Sequence, residues 1–254
     1  MKKESDETVL YKIIGNLYES EAPLIFKGAL VTNLILIENS FDKMARKTVD
    51  IDANWIEKPP TMEELVKVIS DSLGDLNDIY EVESKRDYSN VQSAGIVLIN
   101  KKTSRKEITI DIDIKNDSEG KMYTYNNMQF KGVLVDSIIA DKLSAISTRA
   151  VYRRAKDIYD IFALSQCVEV NTDSIMFQLK ESNRKLGYFD EFFNEKEKIA
   201  HAYKRLKRIT DKPDFKTVYS HVERFIAPFN EIELINKQWD KELGQWNISQ
   251  AEEE

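Results

Sequence analysis

Arg46-Lys47-Thr48-Val49-Asp50-Ile51-Asp52-Ala53 is the stretch on which the reading of this chain turns. From Thr48 to Ala53 polar and apolar residues alternate, which predicts a strand with Val49 and Ile51 on one face and Asp50 and Asp52 on the other. Two carboxylates at i, i+2 repel, and without compensation one of them takes up a proton. A divalent cation with oxygen ligands removes that penalty, and Mg²⁺ suits it, commonly taking one or two carboxylates and filling its octahedron with water and phosphate oxygens. A half-solvated strand gives the same D-I-D pattern with no metal, so the pattern alone leaves both readings open.

Working outward, Glu107 to Ile114 repeats the theme. Ile108, Ile110, Ile112 and Ile114 face one way, and Thr109, Asp111 and Asp113 the other. Laid beside the first strand, it adds a third carboxylate, and three acids can hold two metals. Ala94 to Ile99 reads as its hairpin partner across the polar connection Asn100 to Lys106. Upstream, Val9, Leu10, Ile13, Ile14 and Leu17 mark an amphipathic helix. Pro23 to Phe26 reads as a short buried strand, Gly28 as a turn and Ala29 to Glu38 as a buried helix, a unit that can present N–H groups to a phosphate. Thr61 and Glu64 form a capping box for a helix that Gly74 ends. A strand from Met128 to Val135 closes the sheet region. Beyond it the periodicity is helical over 136–149, 153–166, 173–183, 190–209, 213–226 and 230–243. The fold class is therefore α/β (α+β): a mixed-sheet core over 1–135, then a helical domain over 136–254.

Composition narrows the function classes. The chain has 254 residues, 42% hydrophobic and 32% charged, with 8 Gly and 5 Pro, as in an ordinary globular protein without long linkers. No apolar run approaches the roughly 20 residues of a membrane span, and the start MKKESDETVL lacks the features of a secretory signal. Cys167 is the only cysteine, which excludes an intrachain disulfide and suits a reducing cytoplasm. It follows an apolar helical pattern and reads as a buried small hydrophobe. His201 and His221 have no partner at zinc-ligand spacing. A net charge of −7 argues against indiscriminate nucleic-acid binding but not against a local basic surface. Ala251-Glu252-Glu253-Glu254 reads as a solvated acidic tail.

Lys142, Arg149, Arg153, Arg154 and Lys156 concentrate positive charge after the sheet region. Lys156 and Asp160 stand at i, i+4, and Asp157 shares a face with Asp160. Such cations can bind a triphosphate or an RNA backbone. Spacing alone favours the plainer reading, a surface helix laced with weak ion pairs.

Taken in order, these pieces resemble the AbiEii/AbiGii toxin family of nucleotidyltransferases, within the DNA polymerase β-like superfamily. The resemblance runs through Phe26-Lys27-Gly28-Ala29-Leu30, then Arg46 to Asp52, then Asp111 on its strand. It continues through Asp141-Lys142-Leu143, Ala145-Ile146, Arg149 and Lys156-Asp157-Ile158-Tyr159-Asp160-Ile161. It implies a Mg²⁺-dependent toxin of a toxin–antitoxin or phage-defence (abortive infection) system, transferring NMP from an NTP to an acceptor, foremost tRNA or other RNA. It implies a cognate antitoxin encoded nearby, a cytoplasmic location and a helical domain that completes the active site and binds the acceptor. By the same likeness Asp50, Asp52 and Asp111 hold the metal, Asp113 being the reserve, and Lys142 and Asp157 join them as catalytic residues. Lys27, Gly28, Arg46, Lys142, Lys156 and Asp160 are the expected nucleotide-binding set. The family commonly has a second Gly followed by Ser or Thr, where this chain has Ala29 and Leu30, with Thr32 as the nearest hydroxyl. The alternatives are transfer to a small molecule, as in antibiotic adenylyltransferases, and a degenerate nucleotide-binding regulator.

Overall fold

The structure is a computed structural model that describes residues 6–87, 93–114, 120–230 and 236–248. The acidic tail expected at 251–254 lies outside the described residues. The chain forms two compact units, Met1–Leu34 with Lys47–Leu134, and Ile35–Arg46 with Val135–Glu254.

The first unit is built on a seven-stranded sheet. Its elements are α1 (Asp6–Glu19), β1 (Leu24–Lys27), the start of α2 (Gly28–Glu38), β2 (Asp50–Trp55), α3 (Met62–Ser72), β3 (Tyr80–Arg86), β4 (Ser93–Asn100), β5 (Arg105–Asp113), β6 (Gly120–Tyr125) and β7 (Met128–Val133). The strand order is β3-β4-β5-β2-β1-β7-β6. β2 runs parallel to β5 and β1 to β7, and the other pairs are antiparallel, so the sheet is mixed. Ile51, Ala53, Ile108, Ile110 and Ile112 are buried, and the intervening acids are half-buried. α1 buries Ile13, Ile14 and Leu17, and α3 buries Leu65 and Ile69. The Thr61–Glu64 capping box starts α3, and Gly74 follows its end at φ +58°.

Two strands here lack an expectation in the sequence. β3 is an edge strand exposed along most of its length, so it has little apolar alternation. β6 pairs with β7 around Asn126-Asn127, both at positive φ, the geometry of a two-residue hairpin turn.

In the second unit, α4 (Val135–Ile146), a 3₁₀ turn (Val151–Arg154), α5 (Ala155–Ser165), α6 (Thr172–Glu181), α7 (Asp190–Asn194), α8 (Lys196–Lys204) and α9 (Phe215–Ile226) precede a hairpin of β8 (Lys237–Asp240) and β9 (Gln245–Ile248). Side-chain caps fix two starts: Asn171 accepts from Ser174 N–H at 2.6 Å, and Asp214 from Thr217 N–H at 3.0 Å.

Two helical expectations are corrected. The segment 190–209 is two helices, and α8 stops because the Lys212 ammonium donates to the carbonyls of Tyr203 and Leu206 at 2.7 and 2.8 Å. In 230–243, Asn230 ends a short 3₁₀ turn and the described residues from 236 onward are not helical. Trp239 pairs with Trp246 across the hairpin, and its indole N–H donates to Ser165 O at 2.7 Å while its ring packs on Phe225. The Asp240 carboxylate accepts from Glu242 and Leu243 N–H and turns the chain, with Gly244 at φ +61°. The helical spacing of apolar residues here is thus overridden by burial of one large indole.

Candidate active site

The carboxylates of the first unit are set by strand register. Asp52 stands opposite Asp111 on parallel β2 and β5, Asp50 opposite Thr109, and Asn54 opposite Asp113. On the other side of β2, Lys27 stands opposite Asp52. Directly paired residues share a sheet face, so Lys27, Asp52 and Asp111 form a row across three strands, with Asp50 and Asp113 one pleat to either side. The opposite face of the same strands is isoleucine and alanine in the core. A one-residue slip of β2 would bury both acids, so the hydrophobic pattern enforces the acidic face.

Gly28 sits against this row. Its φ of +69° is a left-handed conformation, and a Cβ there would come within 2.1 Å of an Asp52 carboxylate oxygen. The backbone at the start of α2 thereby approaches Asp52 more closely than any other residue would allow. Thr32 does not substitute for the hydroxyl that the family places after glycine: it is buried and donates to Gly28 O at 2.9 Å within the helix.

Two members of the row have ionic partners. Lys27 Nζ lies 2.5 Å from Asp113, and Arg86 Nη2 lies 2.9 Å from Asp111 while also donating to Ser93. Arg86 was not among the residues singled out from the sequence, and its place on an exposed polar strand gives no signal there. Carboxylate oxygen is the donor type Mg²⁺ takes, and at Gly28 the backbone carries no side chain against the Asp52 carboxylate. Among the described residues, however, no three or more His, Cys, Asp or Glu gather as a metal cage. Asp50 and Asp52 are the carboxylates of β2 that offer oxygen donors to a divalent ion, with Asp111 opposite Asp52 in register and paired with Arg86.

The second unit carries a different cluster. Asp160 accepts from Arg46 through two bonds, 2.7 Å from Nε and 2.9 Å from Nη2, and from Lys142 Nζ at 2.6 Å. Lys142 also reaches Asp157 at 3.4 Å. Asp160 is 1% exposed and Lys142 6%. Burial opposes the charge on Lys142, but Asp160 and then Asp157 outweigh it, and the ammonium is held above the usual lysine range. Burial likewise opposes ionisation of Asp160, yet Lys142 and Arg46 hold its carboxyl below the usual range. Both groups are charged, and each is the other's compensation.

This corrects two expectations. Lys156 is exposed, and Asp160 is turned inward to Arg46 and Lys142 rather than pairing with Lys156 at i, i+4. Nor is α5 a surface helix laced with weak pairs, since Ile158, Tyr159, Ile161, Phe162, Ala163 and Leu164 are all buried. The signal was available. Lys142 falls at helical spacing within the buried stripe Ile138, Ile139, Leu143 and Ile146 of α4, where a charge needs an interior partner. The second unit holds the segment around Arg46 by further bonds: Tyr159 donates its hydroxyl to Met44 O at 2.8 Å, and Arg46 forms a bridge with Ile209.

Cys167 is 1% exposed, and burial pushes its thiol up to about 11, which suits packing and not nucleophilic chemistry. His221 is buried against Ser165 and Gln166, 2.8 and 3.0 Å from its ring nitrogens. No described helix is long and apolar enough to cross a membrane.

Known proteins offer three kinds of comparison. No curated protein matches the sequence. Among solved structures, MenT4, a nucleotidyltransferase toxin from Mycobacterium tuberculosis H37Rv, is similar at 11% identity and TM-score 0.44, over 85% of this chain and 90% of that one. An antigenic nucleotidyltransferase-like protein from Paracoccidioides brasiliensis is similar at 13% identity and TM-score 0.46, over 86% and 98%. The Megavirus polyadenylate synthase is similar at 8% identity and TM-score 0.38, and this chain spans 47% of its length. Residues 15–241 match the family described as nucleotidyl transferase AbiEii toxin, type IV TA system. With nearly the whole chain covered, this protein belongs to the AbiEii family of nucleotidyltransferase toxins.

Proposed function

We propose that this chain is a cytoplasmic, Mg²⁺-dependent toxin that transfers a nucleoside monophosphate from an NTP to RNA, tRNA foremost, and that an antitoxin encoded nearby opposes it. The observation that carries this reading is the register of Asp52 with Asp111, one pleat from Asp50, with Gly28 cleared of side chain against Asp52.

In this reading Asp50 and Asp52 hold Mg²⁺, with Asp111 as third ligand or base. When bound, the ion supplies Lewis-acid stabilisation of phosphoryl oxygens. The chain's residues do the rest. Gly28 lets the nucleotide approach the backbone, Lys27 supplies positive charge from the first unit, and Lys156 supplies it from the second. Lys142 is the second unit's residue for the triphosphate, its ammonium held by Asp160 and by the longer Asp157 contact, which a phosphate oxygen replaces. The acceptor hydroxyl oxygen bonds to the α-phosphorus, the bond from that phosphorus to the bridging oxygen breaks, and pyrophosphate leaves. Asp111, released from Arg86, takes the hydroxyl proton.

The test incubates the protein with each of four α-labelled NTPs, Mg²⁺ and total RNA. Label on RNA is expected with one or two NTPs. Asp52→Ala and Lys142→Ala should each abolish it, Asp52→Ala with an unchanged circular dichroism spectrum. Label on a small molecule alone moves the acceptor to that class, and a folded sample that labels nothing sinks the proposal.

A further inference from the structure

The chain is acidic as a whole, yet two of its segments are strongly basic. Residues 149–156 contain four Arg or Lys and no acid, and residues 196–208 contain six against one Glu. The 3₁₀ turn Val151–Arg154 and α8 bring these segments together around a cleft of about 600 Å³. Arg153, Lys198, His201 and Arg205 line it with Glu197, Tyr152 forms a wall, and the Lys198 ammonium is also paired with Glu195 at 2.6 Å, a contact that a phosphate would replace. All the charged members are exposed, and Tyr152 is half-buried. The Tyr152 ring has the Arg153 guanidinium 5.8 Å and the Lys198 ammonium 5.9 Å from its centre.

Chemistry narrows the occupant. Cations spaced around an aromatic ring match a chain of phosphates that carries stackable bases, and such sites tolerate any sequence because every base has a π face. A duplex keeps its bases stacked inside and offers Tyr152 none. An acidic peptide would satisfy the cations but leave the ring without a flat partner. A cleft of this volume also exceeds what a lone phosphate fills.

Resting on the RNA-transfer reading above, we propose that this cleft holds a single-stranded stretch of the acceptor RNA. Its phosphates lie on Arg153, Lys198 and Arg205, and one base stacks on Tyr152. None of these four residues takes part in the proposed chemistry. The cleft is a holding site, and it binds RNA whether or not transfer follows.

The experiment measures fluorescence anisotropy of a 5′-labelled single-stranded RNA of roughly a dozen nucleotides, within the site sizes of such binders. The full chain is used with EDTA and without NTP, so that binding is read apart from transfer. Expected is binding that weakens with salt, with a log–log slope reduced by about 0.7 for each phosphate-binding cation removed. Arg153→Ala/Lys198→Ala/Arg205→Ala should thus lose about two units of slope. Tyr152→Leu, which keeps apolar bulk and the fold but no π face, should weaken binding by roughly five- to a hundredfold. Lys102→Ala/Lys106→Ala, which removes two exposed cations from the β4–β5 hairpin, should bind as the parent does.

An unchanged affinity and slope in the triple variant, while Asp52→Ala still abolishes RNA labelling, overturns the cleft and leaves the transferase reading standing. Equal binding of a duplex, insensitive to Tyr152→Leu, overturns the single-strand assignment. A polyglutamate peptide bound more tightly than RNA overturns it in favour of a protein partner. A parent that labels no RNA and binds none removes both readings together.

Discussion

Asp160→Ala is the sharpest test of the interior ion cluster. Asp160 is 1% exposed and accepts three bonds, two from Arg46 and one from Lys142. Deleting its carboxylate leaves Lys142, 6% exposed, with Asp157 at 3.4 Å as its remaining anionic partner and with the Arg46 guanidinium as a like-charged neighbour. Breaking a buried pair from one side costs about 3–5 kcal/mol, because the uncompensated charge stays behind. Asp157→Ala removes a longer contact from a side chain 23% exposed, and should cost below about 1 kcal/mol. The assay is urea unfolding followed by far-ultraviolet circular dichroism. The sign of the pH dependence also follows. Asp160's carboxyl is held below its ordinary 3.8, so its contribution is present above that value and lost as pH falls through the depressed one. Lys142's ammonium is held above its ordinary 10.5, so its contribution is present below 10.5 and lost as pH rises through the raised value. Between those limits neither group titrates in the parent. A loss no larger than that of Asp157→Ala would refute the reasoning.

Two other substitutions probe separate features. Gly28→Ala forces an L side chain into the left-handed region, costing about 1–2 kcal/mol, and drives Asp52 aside. Gly74→Ala carries the same backbone penalty at φ +58° but meets nothing closer than 3.4 Å. Both should lower the melting temperature in calorimetry, and only Gly28→Ala should cut transfer, by about a hundredfold for a displacement near 1 Å. For His221, burial and then Arg224 push the imidazole down to about 4 from its ordinary 6.5. It stays neutral in the fold, so stability is present above 6.5 and lost as pH falls toward 4, by about 3 kcal/mol. His221→Phe should flatten that limb of a urea–pH series, and an unaltered limb would place the acid sensitivity elsewhere.

How far the sequence carried depended on whether an element faces one environment or two. β5 from Ile108 and β2 from Asp50 to Ala53 alternate because one face is core and the other is not, and their acids could be put on one face from spacing alone. α3 announced both ends through Thr61, Glu64 and Gly74. β3 escaped notice because an exposed edge strand needs no apolar period. The β8–β9 hairpin was obscured because Trp239 and Leu243, four apart, look helical, whereas Trp239 is buried and Leu243 is 65% exposed. The family resemblance named Lys142 and Asp160, but their inward turn depends on Arg46, 114 residues from Asp160 in sequence. No local pattern encodes a partner at that distance. Arg86 on Asp111 is a non-local pairing of the same kind, set by the β3–β4–β5 order.

The membership of Ile35–Arg46 in the second unit bears on how the chain matures during synthesis. These residues leave the ribosome early, but Asp160 and Ile209, their partners within that unit, are translated much later. At about 5–20 residues per second, Arg46 waits several seconds or more for the carboxylate that fixes it. Until then the guanidinium is solvated and Lys142, once made, has an incomplete cage. Nascent chains truncated before Asp160 therefore lack a settled second unit, however complete their β-sheet.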